Sequence, residues 1–466
     1  MDKKNAWDKY PVGSKRDKVF AFAEDYKAFI SACKTERACA SFLMEDAKQH
    51  GFRPIEELIK EQATCKPGMR VIADNMGKGL ALFVMGKRPI EEGMCILGAH
   101  IDSPRIDLKQ VPLYEDTEMA LLDTHYYGGI KKYQWVTLPL ALCGVICRKD
   151  GTTISVNIGD SPEDPVFGIT DLLIHLSADQ MEKKANKVIE GENLDVLVGS
   201  IPAIESEDEK KKVKDRVKAN ILTILEQKYG MEEDDFLSAE IEVVPAGAAR
   251  DFGFDRSMIM GYGHDDRVCA YPSYRAMLEM EEPEYTSVCL LVDKEEIGSV
   301  GATGMQSRFF ENTVAELVAL EGAYSELTLR RALKNSRVLS SDVSAAFDPN
   351  YPSVMEKRNA AYFGKGLVFN KYTGARGKSG SNDANAEYVA KLRNIMDKNE
   401  VSFQTAELGK VDQGGGGTIA YILGNYNMNV IDSGVAVLNM HAPWEIISKV
   451  DLWEAYCGYI AFLKEA

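Results

Sequence analysis

Residues 287–304, SVCLLVDKEEIGSVGATG, join an apolar run to a pair of adjacent glutamates and a glycine-rich turn. The run over 288–292 is rich in Val and Leu and predicts a buried strand. It stops at the acidic corner DKEE, which contains Glu295 and Glu296. Adjacent carboxylates raise each other's pKa unless a cation neutralises them or one acts as a base. For an isolated pair of glutamates, a solvated acidic turn is the commoner explanation. The rest of the chain is therefore needed to choose between a solvated turn and a functional site.

Length, composition and charge limit the possible functions. The chain has 466 residues, 45% of them hydrophobic and 27% charged, which is enough for two or three globular domains. A net charge of −16 argues against a nucleic-acid or polybasic membrane surface. We find neither a membrane-spanning apolar run nor an apolar secretory core near residue 1. Nine dispersed cysteines without a CxxC pair predict reduced thiols and a cytoplasmic location.

Other apolar runs also end on residues that bind metal ions. A short run leads to His100 and Asp102 in GAHIDSPR, another ends at Asp342, and the last ends at His441. In an H-x-D motif the imidazole can bind a metal while the carboxylate holds its other N–H. The motif alone is weak, because a histidine at a strand end is more often structural.

A further acidic pair, Asp265 and Asp266, follows the glycine-rich approach in GYGHDDR and precedes a predicted helix. Because functional groups collect at the carboxyl ends of strands in an α/β sheet, we expect one of these acids to join the strand-end residues. Two histidines and three carboxylates would then hold two divalent ions, with a shared aspartate as the bridge. The ions would lower the pKa of a bound water, and a carboxylate that binds no metal would transfer the proton of that water.

The chain changes character between residues 109 and 245, where short β-like runs and a charged stretch at 204–218 occur. We predict an α/β fold in which 1–108 and 246–466 form one catalytic domain, a mixed sheet with helices on both faces. Residues 109–245 then form an inserted β-rich domain. In that insert His175 lies in the apolar run LLIHL, which predicts a strand, and a core histidine is commoner there than a ligand.

Five motifs, GAHIDSPR, HDDR, DKEEIGSVGATG, SSDVSAAFDPNY and LNMHAPWE, resemble the successive site motifs of the aspartyl aminopeptidase family. That family belongs to the co-catalytic two-metal aminopeptidases. The resemblance implies a mixed-sheet zinc-peptidase domain and an inserted dimerisation domain. It implies ligand sets shared through one bridging residue: His100, Asp265 and Asp342 for one ion, and Asp265, Glu296 and His441 for the other. Glu295 would be the general base, and Asp102 would orient His100.

The resemblance also implies an assembly. The inserted domain would build dimers and lend His175 to the neighbouring subunit's site, within a tetrahedral homododecamer. The metal would be Zn²⁺, although carboxylate-rich sites also accept Co²⁺ or Mn²⁺. The basic loop 364–381 offers Lys371, Arg376 and Lys378 to an acidic N-terminal side chain, but each is more often a solvated loop charge.

The favoured function is a metalloaminopeptidase that removes N-terminal residues from peptides, with the preferred residue left open. One alternative keeps the metals and changes the substrate, as a deacylase or amidohydrolase of small N-acyl compounds. Another is an inactive shell-forming scaffold, and the intact ligands together with Glu295 argue against it.

Overall fold

The computed structural model describes residues 4–204, 214–322 and 324–466. Its internal contacts divide the chain into two units. The first comprises Met1–Ser103, Ala249–Met440 and Glu445–Ala466, and the second comprises Pro104–Ala248 and His441–Trp444. The domain boundaries inferred from the sequence, 108/109 and 245/246, stay a prediction. Most of the charged stretch 204–218 lies outside the described residues.

In the part of the chain that the structure describes, a nine-stranded mixed sheet forms the centre of the first unit. Its strands are, in spatial order, Arg53–Pro54, Arg70–Asp74, Leu80–Val84, Thr286–Val292, Met94–His100, Arg337–Ser341, Asn429–Gly434, Leu367–Asn370 and Phe403–Thr405. The four from Thr286–Val292 to Asn429–Gly434 are mutually parallel. Their carboxyl ends therefore lie at one edge of the sheet.

Helices pack on both faces of this sheet, which explains the uninterrupted apolar runs of its central strands. One face carries Ser14–Ala32, Glu36–Gln49, His264–Leu278, Ala386–Lys398 and Lys449–Glu465. The other carries Ile55–Glu61, Phe309–Leu320, Glu326–Lys334 and Ala420–Gly424. Local signals set the helix starts: Thr35 and Ser325, for example, accept backbone N–H groups of the helices that follow them. The predicted mixed α/β fold is confirmed.

A small five-stranded sheet completes the first unit. Its described strands are Arg250–Phe252, Met258–Gly261, Glu445–Ser448, Ala436–Leu438 and Ser344–Ala345. The prediction of a strand ending on His441 is wrong, because the strand ends at Leu438 and lies in this small sheet. Asn439 and His441 both have positive φ, so the chain turns before it reaches the histidine.

The second unit is built on an antiparallel sheet, as the β-rich prediction requires. Its described strands are, in spatial order, Thr153–Ile158, Leu140–Cys147, Ala239–Pro245, Arg105–Asp116, Met119–Tyr127, Val196–Gly199 and Gly168–Ile169. The described helices of this unit are Ala178–Met181 and Arg216–Tyr229.

The run LLIHL does not form the predicted strand. The segment Ile174–Leu176 is a single 3₁₀ turn, and its side chains are exposed. Asp171 accepts the N–H of Leu172, and Ser177 donates to the carbonyl of Ile174, so local hydrogen bonds close a turn here. The interpretation of His175 as a core histidine is therefore also wrong.

Among the described residues, we find no helix with the length and apolar character needed to cross a membrane.

Candidate metal centre

Three adjacent parallel strands of the central sheet carry the first group of site residues at or just beyond their carboxyl ends. His100 is the last residue of its strand, Asp342 directly follows another, and Glu295 and Glu296 follow the third. In the register, Val292 pairs with His100, which aligns two of the carboxyl ends. The predicted convergence of these strand ends at one edge is therefore observed.

The ligand atoms at this edge form overlapping groups. One atom each from His100, Asp265 and Asp342 lie within 4.8 Å of one another, and so do those of His100, Glu295 and Glu296. Carboxylate oxygens of Asp265 and Glu296 also approach within 4.8 Å. Imidazole nitrogen and carboxylate oxygen suit Zn²⁺ and related divalent ions, so the residues present fit the metal that the sequence implies.

Two adjacent acids were candidates for the shared ligand, and the geometry separates them. Asp265 enters the groups above, whereas Asp266 enters none among the described residues. Burial raises the pKa of Asp266 well above its ordinary value, and the nearby charge of Asp265 adds to this effect. Asp265 is thus the better candidate.

Asp102 organises both the histidine and the glutamate corner. Its Oδ1 lies 3.2 Å from Nδ1 of His100, whose Nε2 lies 3.2 Å from Oδ1 of Asp265. Burial alone would lower the pKa of His100, but hydrogen bonds and charges from both aspartates outweigh it and raise that pKa. The Asp102 carboxylate also accepts the N–H groups of Glu295 and Glu296, each at 3.2 Å. One buried carboxylate therefore fixes two parts of the site.

Negative charge accumulates where the ions would bind. Burial raises the pKa of Asp342 well above its ordinary range, and the charges of Glu295 and Asp265 raise it further. Such carboxyl groups repel one another when ionised, and a bound cation would remove that penalty.

The first half of the DKEE corner has its own partners. Lys294 donates through Nζ to Asp293 at 2.6 Å, and Thr303 donates to the same oxygen, also at 2.6 Å. Thr303 belongs to the glycine-rich turn, so these bonds tie that turn back to the strand end. Glu295 and Glu296 are the members of the corner that group with His100.

Sequence reasoning missed the residues that support Asp265. Its N–H donates to Glu445, its carbonyl oxygen accepts from Ser103, and the preceding His264 lies 2.7 Å from the hydroxyl of Tyr26. Burial lowers the pKa of His264 to about 3, which keeps that ring neutral. Ser103 and Glu445 lie within the quoted motifs GAHIDSPR and LNMHAPWE, and only that position could have drawn attention to them.

His441 lies in the short segment that groups with the second unit. Its Nδ1 is 2.9 Å from the carbonyl oxygen of Gly129, an arrangement compatible with metal binding through Nε2. Its role as a ligand stays a prediction.

The remaining predicted residues lie outside the ligand groups formed by described residues. His175 is exposed between Ile174 and Leu176, which are 70% and 68% exposed. Its proposed role depends on a neighbouring subunit and stays a prediction.

The basic loop is only partly available to a substrate. Lys371 pairs with Asp383 at 2.6 Å and lies 4.0 Å from the ring centroid of Tyr372. Arg376 and Lys378 are exposed. Lys371 thus already has a carboxylate partner, in a pair that is exposed to solvent.

A mixed sheet with helices on both faces, and with histidine and carboxylate side chains grouped at its carboxyl edge, is typical of metallohydrolases of the zinc-peptidase class. The model of the family described as Aminopeptidase I zinc metalloprotease (M18) matches residues 29–463. A probable M18 family aminopeptidase 1 of Clostridium acetobutylicum is 63% identical over 461 residues, covering 99% of this chain and 98% of the relative. The crystal structure of an M18 family aminopeptidase from Thermotoga maritima is 44% identical, with a TM-score of 0.94 and full coverage of both chains.

The chain therefore belongs to the M18 family of zinc metalloproteases, and it is a metalloaminopeptidase. This confirms the family inferred from the five motifs and does not favour the deacylase or scaffold alternatives. The S. cerevisiae mApe1 dodecamer shares the fold, with a TM-score of 0.75 at 21% identity and 95% and 96% coverage.

Proposed function

We propose that this aminopeptidase holds two divalent ions, Zn²⁺ in the first instance, and uses them to remove the N-terminal residue of peptides. The observation that carries the proposal is the grouping of His100, Asp265 and Asp342 within 4.8 Å. The ligands are assigned as in the family resemblance: His100, Asp265 and Asp342 for one ion, and Asp265, Glu296 and His441 for the other. Asp265 would then be shared by both ions.

Bound ions would polarise the scissile carbonyl and lower the pKa of the attacking water. Glu295 accepts the proton of that water and passes it to the leaving amine, a role that contributes about 10²–10⁴-fold in rate. Asp102 keeps the His100 ring in one orientation and holds the N–H of Glu295, so the base and the ligand keep a fixed relation.

The inserted domain pairs two subunits and brings His175 to the site of the neighbour. Support comes from the exposed apolar side chains of Leu172, Leu173, Ile174 and Leu176 around this histidine. Contiguous exposed apolar residues mark protein interaction surfaces. The full assembly proposed is a tetrahedral homododecamer built from such dimers, in keeping with the distant yeast dodecamer of the same fold.

Specificity and location complete the proposal. Lys371, which pairs with Asp383, and the exposed Arg376 and Lys378 are the cations for an acidic substrate side chain. None of the nine cysteines, all of which lie in the described residues, forms a disulfide, which fits a reducing cytoplasm.

The test compares unblocked aminoacyl and peptide amides with their N-acetyl counterparts. We expect the purified protein to cleave only the unblocked compounds, to lose activity with a chelator, and to regain it with Zn²⁺, Co²⁺ or Mn²⁺. A panel of Asp, Glu, Leu and Met substrates measures the preference. Cleavage of N-acyl compounds alone would instead establish a deacylase.

A further inference from the structure

Both peptide groups of Asp265 are held by side chains from other segments. Its N–H donates to Oε2 of Glu445 at 3.0 Å, and its carbonyl oxygen accepts from Oγ of Ser103 at 2.8 Å. Glu445 and Ser103 are 2% and 1% exposed, so these bonds are shielded from water. The two backbone groups that flank the Asp265 side chain are therefore both fixed by hydrogen bonds, and we call Ser103 and Glu445 the clamp.

The local backbone explains why a clamp is needed. Asp265 is the second residue of the helix His264–Leu278, yet its φ and ψ of −77° and 109° are not helical. At this non-helical residue, side chains bond both the N–H and the carbonyl oxygen, because buried backbone groups need partners. Gly263 permits this path, because a Cβ there would meet Arg267 at 2.2 Å and Ser103 at 2.8 Å.

The two clamping residues connect Asp265 to the other parts of the site. Ser103 directly follows Asp102, which holds His100 and the N–H groups of the glutamate corner. Glu445 begins the strand Glu445–Ser448 and pairs in register with Gly261, just before the segment that carries Asp265. The clamp therefore couples the position of Asp265 to two neighbouring segments of the first unit.

We infer that Ser103 and Glu445 are positioning residues that aim the Asp265 carboxylate so that it can serve both ions. This inference depends on the proposed two-ion function, in which Asp265 is the bridge. A bridging carboxylate must satisfy two coordination spheres at once, so a small rotation of its backbone weakens both. Mutation of a group that orients a metal ligand typically lowers metal affinity or activity by about 10- to 100-fold.

The test removes each clamp contact while leaving all predicted ligands in place. Ser103→Ala deletes the donor to the carbonyl, and Glu445→Met deletes the acceptor of the N–H. Ser103→Thr keeps a hydroxyl and is the rescue variant. Ser273→Ala is the matched control, because Ser273 is fully buried on the same helix and donates to the carbonyl of Cys269 at 2.8 Å.

Metal-free protein is titrated with Co²⁺, and the affinity and visible absorption spectrum of the ion are recorded together with the melting temperature. We expect Ser103→Ala and Glu445→Met to bind Co²⁺ about 10- to 100-fold more weakly, with an altered spectrum. Ser103→Thr and Ser273→Ala should match the wild type in both respects. Each contact is tested by its own variant. If one of the two variants fails to fold, the other still tests the inference.

A purely structural role predicts a lower melting temperature with unchanged affinity and spectrum, and that result would overturn the inference. If the wild-type protein itself fails to bind two ions, the proposed function falls instead. The two failures are therefore distinguishable.

Discussion

The carboxyl edge of the central sheet and the turn that carries His175 both depart from the usual burial of side chains, but in opposite directions. At the edge, charged groups are buried, with His100 1% and Asp102 0% exposed. In the turn, apolar groups are exposed, with Ile174 70% and Leu176 68% exposed. Ordinary folding places charges outside and large apolar groups inside. Buried carboxyl groups that repel one another are stabilised by a cation or a proton, whereas a cluster of exposed apolar groups is stabilised by contact with another apolar surface. The two regions therefore point to different kinds of partner.

The edge is most sharply tested by Glu295→Gln, which removes the base and preserves the shape of the side chain. We expect kcat to fall by about 10²–10⁴-fold, because the proton of the attacking water loses its acceptor. The ion content should stay that of the wild type, since Glu295 is not an assigned ligand. Steady-state kinetics and elemental analysis measure both quantities.

The control for this prediction is Glu56→Gln, an exposed residue in the first turn of the helix Ile55–Glu61. It should leave kcat and ion content unchanged. Wild-type turnover by the Glu295→Gln protein would remove Glu295 from its assigned role.

The turn is tested by Ile174→Asp, which places a charge within the exposed apolar group. We expect the dimer to dissociate and kcat to fall by about 10²-fold, the typical loss when one polar group is withdrawn from a transition state. The free energy of unfolding of the isolated subunit should change by less than about 0.5 kcal/mol, because the Ile174 side chain is exposed in the single chain. Light scattering, kinetics and denaturant titration check these expectations.

Val12→Asp is the control for the turn, because Val12 is 85% exposed and lies in the first unit. It should retain the mass and turnover of the wild type. An Ile174→Asp protein with unchanged mass and turnover would show that the exposed apolar turn is not a subunit contact.

The two regions also differ in how well the sequence predicts them. The edge is predictable because apolar runs ending on His100, Asp342 and the glutamate corner indicate buried parallel strands, whose ends must meet. The same rule fails for His441, since an apolar run does not reveal which sheet it joins. For LLIHL the rule fails because an exposed apolar run has the same pattern in the sequence as a buried strand.

Contacts between distant segments are beyond reach of sequence patterns altogether. Ser103 and Glu445 bind the backbone of Asp265 across separations of 162 and 180 residues. Neither residue has a spacing or composition that signals this contact, because both bonds depend on the folded path of the chain. The unusual backbone of Asp265 is likewise set by tertiary structure.

The central claim is that distant acids and imidazoles meet at one sheet edge to hold a pair of ions bridged by Asp265. Its most direct test is the Zn²⁺ stoichiometry of metal-free wild-type protein and of Asp265→Ala, measured by equilibrium dialysis with elemental analysis. The account predicts two ions per wild-type chain and loss of tight binding at both positions in the variant. A single ion in the wild type, or two tightly held ions in Asp265→Ala, would contradict it.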